Sequence, residues 1–153
     1  MSIILGERSL SRLQHVHPDL VRVVRRAAIL AEPDQDFTVI EGVRSREQMC
    51  INWGKGRTPA ECVSHNVPAS YSEPSVAKVT WLNDPFASKH AIKGDGFGHA
   101  VDLAPYPIDW KDAARFNSLA LLVLSAAHQE GVAIVWGGSW HSSPDLPHFE
   151  LST

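Results

Sequence analysis

The sequence predicts an α+β fold: one domain with a small antiparallel or mixed sheet flanked by helices. Two long stretches carry apolar residues at helical spacing. Several short runs rich in β-branched residues, bounded by Gly, Pro or Asp, read as strands. The order of helices and strands follows no regular strand–helix–strand alternation, which disfavours a parallel α/β sheet.

In chain order, "HPDLVRVVRRAAILAE" is a helix, with Pro18 in its first turn and Leu20, Val23, Val24, Ala27 and Leu30 on one face. Arg22, Arg25 and Arg26 form its wet face. "DFTVIEG" is a strand ending at Gly42. "SREQMCINWGK" is a helix with Ser45 as N-cap and Gln48 placed for a capping box. Residues 54–74, rich in Gly, Pro, Ser and Asn, read as a long loop of the kind that walls a cleft. "VAKVTWL" and "GHAVDLAPY" read as strands, and "DWKDAARFNSLALLVLSAAHQEG" as a helix ended by Gly131. "VAIVWGG" is a buried strand by composition, and "PHFELS" a last short strand.

The chain has 153 residues, 44% of them hydrophobic, enough for a core without disulfide staples. With a formal net charge of −3, nothing points to a nucleic acid or an anionic membrane as the main partner. Cys50 and Cys62 are too few for a disulfide framework and read as reduced, incidental thiols. The start "MSIILGERSL" lacks a basic segment before a long apolar one, so no signal peptide is expected, and no apolar run is long enough to span a membrane. A cytoplasmic monomer is expected, the whole of 1–153 being one domain without a second module.

The chemistry concentrates in "SKHAIKGDGFGHAVDLAP" and "DLPHFE". A catalytic zinc site takes three ligands from His and Asp/Glu and keeps one position open. His90 and Asp102 can form a pair on one segment, with His148 the distant third. Alternation along a strand puts Ala100, Asp102 and Ala104 on one face, and His99 on the other with Val101 and Leu103. His99 is therefore the fallback ligand. Taken singly, His90 reads as a solvated loop histidine and Asp102 as a turn-capping carboxylate, and it is the second segment that turns the reading toward a metal site. Pro147 stiffens the stretch that carries Asp145 and His148, three residues apart. Asp145 is the candidate base, and Glu150, two residues beyond His148, a candidate to orient that imidazole or an ordinary exposed carboxylate. His141 is near enough to line a cleft. Trp53, Trp81, Trp110, Trp136 and Trp140 read as core or cleft wall.

These residues resemble the zinc D-alanyl-D-alanine carboxypeptidase family, and in particular its phage endolysin branch that cuts L-alanyl-D-glutamate bonds. The family motif S-x-H-x-x-G-x-A-x-D is met by Ser88 and His90 and then by Gly98, Ala100 and Asp102; Asp145 and His148 match the second motif. "EGVRSREQ" and "WGGSW" are similar to further family segments. The spacing departs in one place: eleven residues (91–101) separate His90 from Asp102 where the family has six, five extra falling within "AIKGDGF". With Gly94 and Gly96, that segment is expected to loop out without moving either ligand.

The resemblance implies a hedgehog/DD-peptidase-like fold and Zn2+ held by His90, Asp102 and His148. Asp145 would take a proton from the attacking water and pass it to the leaving amine. Arg44 would bind substrate or stabilise the oxyanion, and Ser88 would hydrogen-bond within the ligand loop. The implied substrate is the peptidoglycan stem peptide, reached from the host bacterial cytoplasm after holin-type release. The alternatives are a D-Ala-D-Ala carboxypeptidase or dipeptidase, and, in another class, a non-catalytic zinc-stabilised binding module.

Overall fold

The computed structural model describes residues 2–152. Along the chain run α1 (Glu7–Arg12), α2 (Pro18–Leu30), β1 (Phe37–Glu41), α3 (Arg46–Gly54), α4 (Pro59–Ser64), β2 (Ala100–Pro105), α5 (Ala113–Glu130), β3 (Ile134–Trp136) and β4 (His148–Leu151). Short 3-10 turns lie at Pro33–Gln35, Ala69–Tyr71 and Gly137–Ser139. Contacts group these into two compact units: residues up to Val43 together with those from Ile92 onward, and Arg44–Ala91.

The first unit is a four-stranded antiparallel sheet, order β1-β2-β4-β3, covered by α2 and α5. Strand alternation decides which face meets the helices. Val101 and Leu103 of β2 and Phe149 and Leu151 of β4 pack with Leu20, Val23, Val24 and Ala27 of α2 and with Leu119, Val123 and Ala126 of α5. Each large aliphatic or aromatic side chain so buried contributes about 1.5–3 kcal/mol relative to exposure. The opposite face of β2 and β4 carries Ala100, Asp102, His148 and Glu150. The core, in effect, pins the strands so that their polar residues face together.

Helix ends follow local chemistry. Pro18 begins α2, where the His17 ring nitrogen Nδ1 accepts the Asp19 N–H at 3.1 Å. Asp112 caps α5, and Gly131 ends it in the left-handed conformation with φ 67°. The Arg22–Arg25–Arg26 face is wet as expected, with Arg26 donating to Glu130 at 2.8 Å. The inserted segment closes on itself: Ile92 bridges Gly98, Lys93 N–H donates to the Phe97 carbonyl at 2.9 Å, and Gly96 turns with φ 86°. Residues 93–97, five in number, are thus a closed excursion between two bridged positions.

The second unit packs α3 and α4 around Cys50, Trp53, Cys62 and Val67, with Tyr71 and Phe86 against them. Both cysteines are buried free thiols. Ser45 accepts the Gln48 N–H at 3.1 Å, but the Gln48 side chain turns to Asn52 rather than back to the cap. Only half of the expected capping box therefore forms.

Three expectations need correction. Residues 54–74 are not one long loop: they contain α4, whose cap is a full capping box between Thr58 and Glu61. "VAKVTWL" is not a strand. Two of its carbonyls are taken by side chains, Thr80 O by Arg57 and Leu82 O by Trp53, and the segment joins no strand of the sheet. "VAIVWGG" forms only the three-residue edge strand β3, half-buried because a neighbour covers it on one side alone. Residues 7–12, for which no element was expected, form α1.

Candidate metal centre

Strand register builds half of the site. Asp102 of β2 lies directly opposite His148 of β4, and Ala100 opposite Glu150. His148 is buried and sits between two carboxylates: Nδ1 is 3.3 Å from Asp102 Oδ1, and Nε2 is 2.8 Å from Glu150 Oε1. Burial lowers the pKa of this imidazole, but its hydrogen bonds to Asp102 and Glu150 and the charges of Asp102 and Asp145 outweigh burial and push it up to about 9. Two acids around a buried ring call for a positive charge, which a proton or a metal ion can supply. When the neutral ring donates Nε2–H to Glu150, the Nδ1 lone pair is left on the Asp102 side, the tautomer a metal ligand needs.

The turn before β4 is held just as tightly. Gly137 O accepts the Asp145 N–H at 2.9 Å, Asp145 O accepts the His148 N–H at 3.2 Å, and Trp136 Nε1–H donates to Leu146 O at 2.8 Å. A Cβ on Gly137 would press into the Asp145 carbonyl oxygen and lie 3.0 Å from His148 Cβ. The Trp140 ring lies 5.2 Å from that of His148. Asp145 itself is exposed, three residues before a buried imidazole, which suits a group that exchanges protons with water.

His90 is buried at the end of its own ordered loop. Ser88 Oγ accepts the His90 N–H at 3.2 Å, and the His90 carbonyl accepts the Arg44 N–H at 2.9 Å. Arg44 also donates Nη1–H to Ser88 Oγ at 3.5 Å. Arg44 and Ser88 thus both hold the backbone that carries His90.

One ligand atom from each of His90, Asp102 and His148 lies within 4.8 Å of the others, an arrangement that could hold a metal ion. Two imidazoles and one carboxylate are the donor set of a catalytic zinc with an open position. Among the described residues this is the one such group, and neither His141, exposed before Asp145, nor His99 belongs to it. His99 bonds Asp95 in the excursion at 2.7 Å and packs edge-on to His17. The residue that sequence reasoning did not single out is Gly137; Trp136 and Trp140 read there only as core or cleft wall. The signal for Gly137 was the crowding of "WGGSW" just before the second motif.

Residues 1–67 match the family model of phage L-alanyl-D-glutamate peptidases, and residues 83–151 that of D-alanyl-D-alanine carboxypeptidases. The chain is 31% identical over 154 residues to the L-alanyl-D-glutamate peptidase of Escherichia phage T5, covering 99% of this chain and 90% of that one. It is similar in structure to the L-Ala D-Glu endopeptidase ChiX of Serratia marcescens, with TM-score 0.61, 28% identity, and coverage of 99% of this chain and 91% of that one.

Proposed function

The chain belongs to the L-alanyl-D-glutamate peptidase family, and from that premise we propose that it is a zinc peptidase cutting the L-alanyl-D-glutamate bond of peptidoglycan stem peptides. The observation that supports this most is the convergence of the His90, Asp102 and His148 ligand atoms within 4.8 Å. Bound to those three, zinc supplies a Lewis acid that polarises the scissile carbonyl and makes water acidic near neutral pH.

The side chains have separable roles. Asp145 takes the proton of the attacking water and delivers it to the leaving amine; its backbone is held by the Gly137 contact, and its exposed carboxylate can exchange that proton. Glu150 holds His148 in the ligating tautomer. Ser88 orders the His90 loop, and Arg44, hydrogen-bonded to that loop from the segment between β1 and α3, offers its guanidinium to the substrate or the developing oxyanion. The enzyme acts as a monomer on the wall after release from the host cytoplasm. Among the described residues, no helix is long and apolar enough to cross a membrane.

A second reading has a specific observation behind it: residues 83–151 match the D-alanyl-D-alanine carboxypeptidase model. One experiment separates the readings. Purified walls are digested with the native, the chelated and the zinc-restored protein, metal content is measured, and fragments are weighed by mass spectrometry. About one zinc per chain, zinc-dependent release and new N-terminal D-Glu fragments are expected. Release of D-Ala alone would establish the carboxypeptidase instead, and undiminished digestion after complete zinc removal would refute the metal mechanism.

A further inference from the structure

The second unit carries a cavity of about 300 Å³ that no step above uses, lined by Trp53, Arg57, Glu61, His65, Lys78 and Trp81 together with Leu82 and Asn83. That volume lies at the low end of small-molecule sites, ~300–1,000 Å³. Its floor is rigid. The Arg57 guanidinium is buried 3.9 Å above the Trp53 ring, with Nη1 donating to Trp53 O at 2.8 Å and Nη2 to Thr80 O at 2.9 Å. The His65 ring lies 4.7 Å from Trp53 and engages Nδ1 with Ser64 and the Glu61 carbonyl, so Nε2 is the nitrogen a ligand would meet. The wall is different in kind: Trp81 is 67% exposed, an indole face held out to solvent beside a polar floor.

We propose that this cavity binds an N-acetylated amino sugar of the peptidoglycan glycan strand, with Trp81 as the stacking face. The C–H face of a pyranose packs on an indole, while its hydroxyl and acetamido groups need donors and acceptors side by side. The cavity offers both: the Asn83 amide, His65 Nε2, the Glu61 carboxylate and the Lys78 ammonium. The charges are largely answered within the wall itself. Glu61 caps its own helix through Thr58 and is acted on by Arg57 and Lys78, while Arg57 is committed to two carbonyls. A neutral polyhydroxylated ring therefore fits better than a stem-peptide carboxylate.

The inference rests on peptidoglycan being the substrate, and the test keeps the two apart. The probe is N,N′,N″-triacetylchitotriose, titrated into the full chain and followed by the indole N–H resonances and tryptophan fluorescence. The native protein is expected to bind with the Trp81 signal moving most. Trp81→Ala should weaken binding about tenfold or more, with the melting temperature unchanged. Trp110→Ala, an exposed tryptophan of the other unit, should not weaken it. Hydrolysis of a soluble, glycan-free stem peptide should be the same in Trp81→Ala and the native protein, whereas digestion of intact walls should fall. Failure of the native protein to cut the stem peptide would remove the proposed function and leave the sugar titration to be read by itself. No binding of the trisaccharide, equal binding by Trp81→Ala, or movement of the Trp81 signal by the stem peptide in place of the sugar would overturn the inference.

Discussion

Replacing Glu150 by Ala sets two effects against each other, and their balance depends on pH. In the metal-free chain His148 holds a proton up to about pH 9. Zinc must displace it, so near pH 7, two units lower, proton competition weakens apparent zinc affinity ~100-fold. Glu150→Ala removes the acceptor 2.8 Å from Nε2, which releases ring orientation and reduces the basicity of Nδ1. Losing such a partner costs about 10–100-fold in metal affinity, or about 1.4–2.7 kcal/mol. The same substitution removes one of the groups that raise the His148 pKa, so the proton also competes less.

The expected outcome is a crossover in the pH profile. Near pH 7 the two effects partly cancel and the variant binds zinc only slightly less tightly; above about pH 9 the competition is gone and the deficit of about 10–100-fold appears in full. Glu150→Gln keeps an acceptor without its charge and should fall between. Zinc affinity is read by competition with a chromophoric chelator across this range. A native profile that is flat from near pH 7 to about pH 9, or a Glu150→Ala affinity equal to the native one at the high end, would refute the role given to Glu150.

Asp145→Asn should retain zinc while stem-peptide turnover drops about 10²–10⁴-fold, the range for a lost general base; loss of zinc as well would make Asp145 a ligand. Gly137→Ala drives a methyl group into the Asp145 carbonyl and against His148, and should cost about 1–3 kcal/mol in thermal unfolding along with zinc affinity. Unchanged values of both would contradict the clamp. The metal-free chain should lose stability as pH rises. The His148 pKa is raised on folding from 6.5 to about 9, so its contribution is complete below pH 6.5 and gone above about pH 9. That difference of about 2.5 units amounts to roughly 3 kcal/mol, and a melting temperature constant across the window would rule it out.

Features set by short-range chemistry were legible in the residues. Pro18, Ser45 and Gly131 mark helix ends where the sequence places them, and alternation along the strand that carries 100–104 separates Asp102 from His99. Features that depend on a partner far along the chain were not. "VAKVTWL" has strand composition, yet the side chains of Arg57 and Trp53 take two of its carbonyls, and nothing local announces that. Thr58-Pro-Ala-Glu61 is the reverse case: the capping pattern stood in the sequence but was hidden in a stretch dominated by Gly, Pro and Ser. The clamp of Gly137 on Asp145 lies between the two, since a glycine pair between tryptophans suggests close approach but does not say to what.

The five-residue departure from the family spacing shows which quantity a metal site constrains. Counting residues between His90 and Asp102 measures contour length, and contour length matters only if the chain between them is taut. Here it is slack by design: Ile92 and Gly98 are bridged, Asp95 accepts the Phe97 N–H at 3.0 Å and bonds His99 at 2.7 Å, and residues 93–97 add length without adding span. Asp102 is placed instead by register, opposite His148 on β4 and paired with Glu41 on β1 just past an irregularity in the ladder. A shift of one residue in that register would turn Asp102 into the core face and Val101 or Leu103 out of it, exchanging buried aliphatic side chains for a buried charge. The hydrophobic face of the sheet therefore does the positioning, and insertions between ligands are tolerated wherever they close on themselves before the strand begins.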